Sequence, residues 1–208
     1  MKKKIIYKEI KEKIISGKFA QGSHINEKDI IENYKVSRTP IREALNLLEI
    51  ENWIKSVPRK GYVVTDITFS DIKDLFQIRY ELEPVFLTMA FNYFEKDELE
   101  NLKNEIEKLK KEKNYDALRE IDTEFHLYLI KSTYNKFATK TMENINDHIN
   151  RTRYLTFSDE KETTNSANDH IKIIEALMEK NLDKALDILR KHIDRSQLYF
   201  IRHFNFKK

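Results

Sequence analysis

The sequence predicts a mainly α-helical chain in two parts: a small head of three helices and a β-hairpin, then a larger all-helical bundle. Three observations predict it. Only three glycines and three prolines occur in 208 residues, a composition poor in tight turns, and Ile, Leu, Lys and Glu abound. Apolar residues recur at intervals of three and four along most of the chain, the period of an amphipathic helix. The β-rich stretch "WIKSVPRKGYVVT", Trp53 to Thr65, interrupts that pattern near the N-terminal end.

In the first helix Ile6, Ile10 and Ile14 recur at a spacing of four, flanked by Tyr7 and Ile15, and Gly17 follows as a C-cap. A second helix opens at Asn26, with Asp29 three residues on, and buries Ile30, Ile31 and Tyr34. A short turn through Lys35 and Val36 leads to Ser37, an N-cap for the third helix, in whose first turn Pro40 sits at little cost. There Ile41, Ala44, Leu45 and Leu48 make the apolar face; Arg38, Arg42 and Asn46 form a stripe pointing away from it, and Asn52 ends the helix. Two strands then enclose "PRKG", with Arg59, Lys60 and Gly61 at the tip of a hairpin. Three short helices and a basic hairpin make a winged helix-turn-helix.

Charge is distributed unevenly. Through Tyr62 there are 14 Lys and Arg against 8 Asp and Glu, a surplus of six; the remainder has 24 against 27, a deficit of three. A basic module joined to a mildly acidic one suits a polyanion partner, although solvated lysines would produce the same balance. The major groove of B-DNA admits one helix and its N-terminal residues meet base edges, so Arg38 and Arg42, one turn apart, are placed for guanine or phosphate. Arg59 and Lys60 on the wing would reach the adjacent backbone or minor groove. As a plain alternative, the arginines are surface cations of an amphipathic helix. No apolar run approaches the roughly 20 residues that span a bilayer, and charges interrupt the first fifteen residues, so a cytoplasmic protein is expected. There are no cysteines, so any metal must be held by His, Asp or Glu.

The segment around "VSRTPIREAL" resembles the DNA-binding domain of GntR-type bacterial transcription regulators, over residues 5 to 65. The resemblance implies that Arg38 and Arg42 contact operator DNA, with Ser37 and Thr39 at the helix start, Lys28 on the preceding helix, and Gly61 letting the wing approach closely. Lys35 and Asn52 stand where such regulators commonly carry glycine; Asn tolerates the left-handed conformation better than Lys does.

The head is expected to span 1–66 and the second domain 69–206. A capping residue, Ser70, opens the latter, and helices are expected near 70–94, 97–113, 115–133, 136–157, 163–180 and 182–204, with Pro84 kinking or splitting the first. The lysine-rich "LKNEIEKLKKEKN" alternates sign at helical spacing and reads as a solvated face. "DTEFH" puts Asp122 and His126 on one helix face, one turn apart, where both can reach a single ion. His170 and His192 are each eleven residues from Asn181, the expected turn, so an antiparallel hairpin brings them to the same height. Each histidine alone suits a packed or surface residue; the joint geometry favours ligation.

"IRYELEPVFLTMA", "DTEFHLYLIKSTYN" and "DHIKIIEALMEKNLDKALDILRKHI" resemble the all-helical FCD effector domain of the FadR branch, in its shorter VanR-like form. In metal-containing members an Asp and three His bind a divalent cation, which the resemblance carries to Asp122, His126, His170 and His192. Zinc is the first expectation, with nickel and manganese as alternatives. Four protein ligands saturate a tetrahedral zinc, which disfavours hydrolysis, so an enzyme is not expected. An expanded coordination shell accepts a small carboxylate or sugar acid, with Arg79, Arg151 or Arg153 as its second handle. The expected function is a homodimeric, ligand-responsive regulator binding a double-stranded operator, repressor more often than activator; the alternatives are a sensor of the metal itself and a metalloenzyme with a DNA-binding appendage.

Overall fold

The structure is a computed structural model and describes residues 2–59, 61–155 and 159–204. It divides into two compact units, Met1–Thr68 and Phe69–Lys208. No helix among the described residues is long and apolar enough to cross a membrane.

The first unit is a winged helix-turn-helix. Helix α1 (Lys2–Ile15) buries Ile6, Ile10 and Ile14 against Ile41, Ala44, Leu45 and Leu48 of α3 (Arg38–Ile50). Between them lies α2 (Glu27–Tyr34), whose Asn26 cap accepts from the Lys28 amide at 3.0 Å. Ile30 is buried, whereas Ile31 and Tyr34 are half-buried. The turn after α2 is made by Lys35 itself in the left-handed conformation, φ 49°, its amide bonded to the Ile31 carbonyl. Asn52, φ 62°, does the same after α3. Ser37 occupies the N-cap position of α3 with extended dihedrals, but its hydroxyl makes no capping bond. Pro40, the third helical residue, has no amide, which leaves only that of Thr39 as a possible capping partner.

Strands β2 (Ile54–Val57) and β3 (Gly61–Val64) pair antiparallel with Val57 opposite Gly61. A third strand, β1 (His24–Ile25), adds to the other edge of β3, giving the order β1-β3-β2. Two residues are too few for alternation to reveal a strand, so the hairpin expectation missed it.

A polar clamp closes the head. One Glu51 oxygen accepts from the Tyr7 hydroxyl at 2.6 Å, Trp53 Nε1 at 3.1 Å and Lys11 Nζ at 3.2 Å. Burial opposes ionisation of Glu51, yet these donors outweigh it and hold its carboxyl below the ordinary glutamate range; burial and Glu51 push Tyr7 up to about 12. Because the folded pKa is depressed, the clamp's contribution is present above pH 4.5 and is lost as pH falls toward the folded value. Glu51→Gln is therefore expected to flatten the acid limb of a stability profile measured by urea unfolding; an unchanged limb would refute the clamp.

The second unit is all-helical: α4 (Phe69–Ala90), a 3-10 turn (Phe91–Tyr93), α5 (Lys96–Lys111), α6 (Tyr115–Lys131), α7 (Lys136–Leu155), α8 (Glu160–Met178) and α9 (Leu182–His203). Asn114, Asp159 and Asn181 cap α6, α8 and α9 through their side chains. Asp159 starts α8 three residues before its expected beginning, and α4 begins at Phe69, so Ser70 lies within its first turn rather than capping it. Residues 156–157, assigned to the end of α7 from sequence, lie outside the described residues. The lysine-rich α5 is not wholly solvated: Leu99 and Ile106 are buried, and Lys103 reaches Glu175 of α8 at 2.6 Å.

Pro84 does not split α4, which runs through it. Proline removes the amide that would bond the Tyr80 carbonyl four residues earlier. That carbonyl accepts instead from Arg190 of α9, Nη1 at 3.4 Å, while the guanidinium carbon sits 4.9 Å from the centre of the Tyr80 ring.

Candidate metal centre and nucleic-acid interface

Helix α6 contacts α4, α7 and α8, and α8 packs against α9, so side chains from α6, α8 and α9 meet in one interior. Asp122 and His126 come from α6, His170 from α8 and His192 from α9; all four are buried, and one ligand atom from each lies within 4.8 Å of the others. His126 Nε2 is 3.1 Å and His170 Nε2 3.4 Å from His192 Nε2, and Asp122 Oδ1 is 3.6 Å from His170 Nε2. Ligands at tetrahedral Zn–N distances stand roughly 3.3 Å apart. The set fits a divalent cation.

Protonation points the same way. His126 donates Nδ1–H to Glu83 Oε2 at 2.9 Å, a carboxylate partner that fixes the tautomer leaving the Nε2 lone pair turned inward. Burial pushes His170 well below its ordinary value and His192 down to about 4, with Asp122 and Asp169 only partly offsetting it. Burial also opposes the charge on Asp122, but Arg153 and the imidazoles outweigh it and hold the carboxyl well below the usual range. At neutral pH Asp122 is therefore a carboxylate and His170 and His192 are neutral imidazoles, the forms that bind metal without releasing protons.

Sequence reading missed the supporting shell. Glu83, itself held to about 2 because Arg79 and His126 overcome its burial, accepts from Arg79 Nε at 2.7 Å. Ser166 donates to Asp122 Oδ1 at 2.6 Å, and Asp169 faces His192 Nδ1 at 3.8 Å while pairing with Arg195. The i, i+4 spacing of Arg79 and Glu83 was the available signal; it indicates a pair, not what the pair orients.

A small cavity of about 60 Å³, open to solvent, adjoins the cluster and shares Asp122 with it; Arg119, Arg153, Ser166, Tyr199 and Phe200 are among its lining residues. The three arginines expected at an effector divide here. Arg153 lines the cavity, bonded to Asp122 and to Thr123 and Asn150 at 3.0 Å. Arg79 and Arg151 are buried and are not among the lining residues. Arg119, which does line it, went unnoticed in the sequence.

In the head, Lys28, Ser37, Arg38, Thr39, Arg42, Arg59 and Gly61 are all exposed. Lys28, Arg38 and Gly61 line one groove with His24, Asn26 and Glu27. Arg42 Nε bonds Glu27 Oε1 at 3.1 Å. At the wing tip Arg59 and Gly61 have φ of 63° and 82°. A Cβ on Gly61 would lie 3.7 Å from the Ile25 carbonyl, ordinary contact, so conformation rather than crowding calls for glycine there. Lys60 lies outside the described residues.

Residues 2–64 match the family described as bacterial regulatory proteins, gntR family, and residues 74–195 match the FCD domain. The chain is 28% identical over 204 residues to the uncharacterized HTH-type transcriptional regulator YdhC of Bacillus subtilis, covering 96% of this chain and 86% of that one. It is 24% identical over 191 residues to the HTH-type transcriptional repressor RspR of Escherichia coli, covering 90% of this chain and 84% of that one. The solved structure of E. coli McbR/YncC superposes with a TM-score of 0.83 at 17% identity, covering 99% of each chain, which shows a shared fold. With a winged helix-turn-helix and an FCD domain in one chain, this protein belongs to the GntR family and is a DNA-binding transcriptional regulator.

Proposed function

We propose that the protein is a homodimeric repressor that binds a palindromic operator through Lys28, Ser37, Arg38, Thr39, Arg42, Arg59, Lys60 and Gly61 of each head, and leaves it when its FCD domain takes up a small carboxylate beside a divalent ion. The observation that carries this reading is the convergence of Asp122, His126, His170 and His192 at the edge of a cavity lined by Arg153. When bound, the ion, zinc first and nickel or manganese otherwise, supplies a Lewis-acidic centre for an oxygen ligand. Asp122 and the three imidazoles hold it; Glu83 orients His126, and the Asp169 carboxylate lies near His192 Nδ1; Arg153, bonded to Asp122, Thr123 and Asn150, puts a positive charge at the cavity wall for an entering carboxylate. Arg79 serves through Glu83 rather than by contact, and Arg119, not Arg151, stands with Arg153 at the cavity wall. Repression is supported by the role named for RspR. A ligand acts only by preferring one arrangement of the protein, since equal affinity for both shifts nothing.

Purified protein is expected to carry stoichiometric divalent metal by elemental analysis, and the double variant Asp122→Ala, His126→Ala to carry none. Metal retained by that variant rules out the site. Small carboxylates should then raise the melting temperature of the metal-loaded protein and release it from DNA. Release by metal alone would establish metal sensing instead. Arg42→Ala should weaken operator binding about tenfold or more, and unchanged affinity would remove the assignment of α3 to the major groove.

A further inference from the structure

The head carries a contact that affinity for DNA alone would disfavour. Arg42 projects from α3 with 62% of its side chain exposed, and its Nε donates to Glu27 Oε1 at 3.1 Å. Glu27 opens α2, where the helix dipole favours an anion, and it lines the same groove as Lys28 and Arg38. An ion pair this exposed adds little to stability. It also sets a negative charge among the cations that would meet phosphate, which weakens binding to any duplex.

Geometry resolves the conflict. A guanidinium has five N–H groups in a rigid fork. With Nε–H committed to Glu27, the outer edge formed by Nη1 and Nη2 remains, and its two parallel N–H groups match the N7 and O6 acceptors of guanine in the major groove. The same bond restrains the side chain, so less rotamer freedom is lost when a base is gripped. Where no guanine is met, the Glu27 carboxylate stays close to the DNA without compensation, a penalty on wrong sequences. We infer that Glu27 is a specificity-determining residue, holding Arg42 by its Nε so that it reads guanine end-on while repelling duplexes that lack one. The inference rests on the proposed role of α3 as the operator-binding helix.

The test compares full-length wild type with Glu27→Ala, Glu27→Gln and Arg42→Ala, each titrated against a duplex selected by the wild-type protein from a random library and against a scrambled duplex of equal length. In Glu27→Ala the ratio of the two affinities should fall roughly tenfold, with affinity for the scrambled duplex rising. Glu27→Gln, whose amide oxygen still accepts from Nε but carries no charge, keeps the hold on Arg42 and loses the penalty, so its ratio should fall less than that of Glu27→Ala while affinity for the scrambled duplex rises. In an Arg42→Ala background, Glu27→Ala should no longer change the ratio. A ratio unchanged by Glu27→Ala overturns the inference, as does a parallel loss on both duplexes with a lowered melting temperature, which would make Glu27 a folding residue of α2. If Arg42→Ala itself leaves operator affinity intact, the reading of α3 fails rather than this refinement of it.

Discussion

Glu83→Ala is expected to destabilise the helical unit by about 3–5 kcal/mol. Arg79 is 1% exposed and Glu83 2%; the Arg79 Nη2 already lacks a partner, and Glu83 also receives His126 Nδ1. Deleting the carboxylate leaves a buried guanidinium whose attraction no longer offsets its lost hydration. Removing both charges, as in Arg79→Met with Glu83→Leu, should cost much less. The two experiments together separate an unpaired charge from lost packing. Trp53 is the only tryptophan and belongs to the head, so its fluorescence is blind to this loss; far-UV circular dichroism during urea unfolding of chelator-treated protein is the suitable measurement. A change under about 1 kcal/mol would mean that Arg79 finds another partner. Metal affinity should drop with it, by roughly 10–100-fold, because His126 loses the group that turns its Nε2 inward.

Operator affinity should fall about 10³- to 10⁴-fold when salt is raised from about 50 to about 200 mM. Lys28, Arg38, Arg42 and Arg59 are exposed cations of the head, and the proposed dimer would double them. If about six to eight of these meet phosphate, counterion release gives a slope near −5 to −7 in a plot of log affinity against log salt. Arg59→Ala, at the wing, should make that slope shallower by about two units per dimer and act equally on all sequences. A flat salt response would exclude polyanion binding by this surface.

Much of this molecule could be read before any coordinates. The fourfold spacing of Ile6, Ile10 and Ile14, the Asn26 cap and the Arg38–Arg42 stripe follow from local periodicity and capping, and they appear in the structure as read. Equal distances from Asn181 suggested that His170 and His192 would face one another, and their Nε2 atoms stand 3.4 Å apart. What stayed hidden was decided by tertiary partners. Ser37 looked like a side-chain cap because its residue type is right, but its hydroxyl makes no capping bond, and Pro40 removes one of the two amides it could have met. Lys35, Lys113, Tyr134 and Lys180 end helices or shape turns at positive φ without glycine, so scarcity of glycine did not mean scarcity of left-handed turns. Glu83 resembled any acidic residue on a helix until α6 brought His126 against it. Arg79 looked like a ligand-binding arginine for the same reason: spacing cannot distinguish a charge facing a cavity from one sealed beneath it.

The guanidinium that fills the gap left by Pro84 has one more implication. Arg190 precedes His192 by two residues on α9, and the carbonyl it holds lies where α4 has given up one rung of its ladder. The missing rung of one rod is thus filled from the rod that supplies an ion-site imidazole. Because α4 and α9 also pack along each other, a shift at that imidazole would be felt by α4 over a shared face that includes the broken rung.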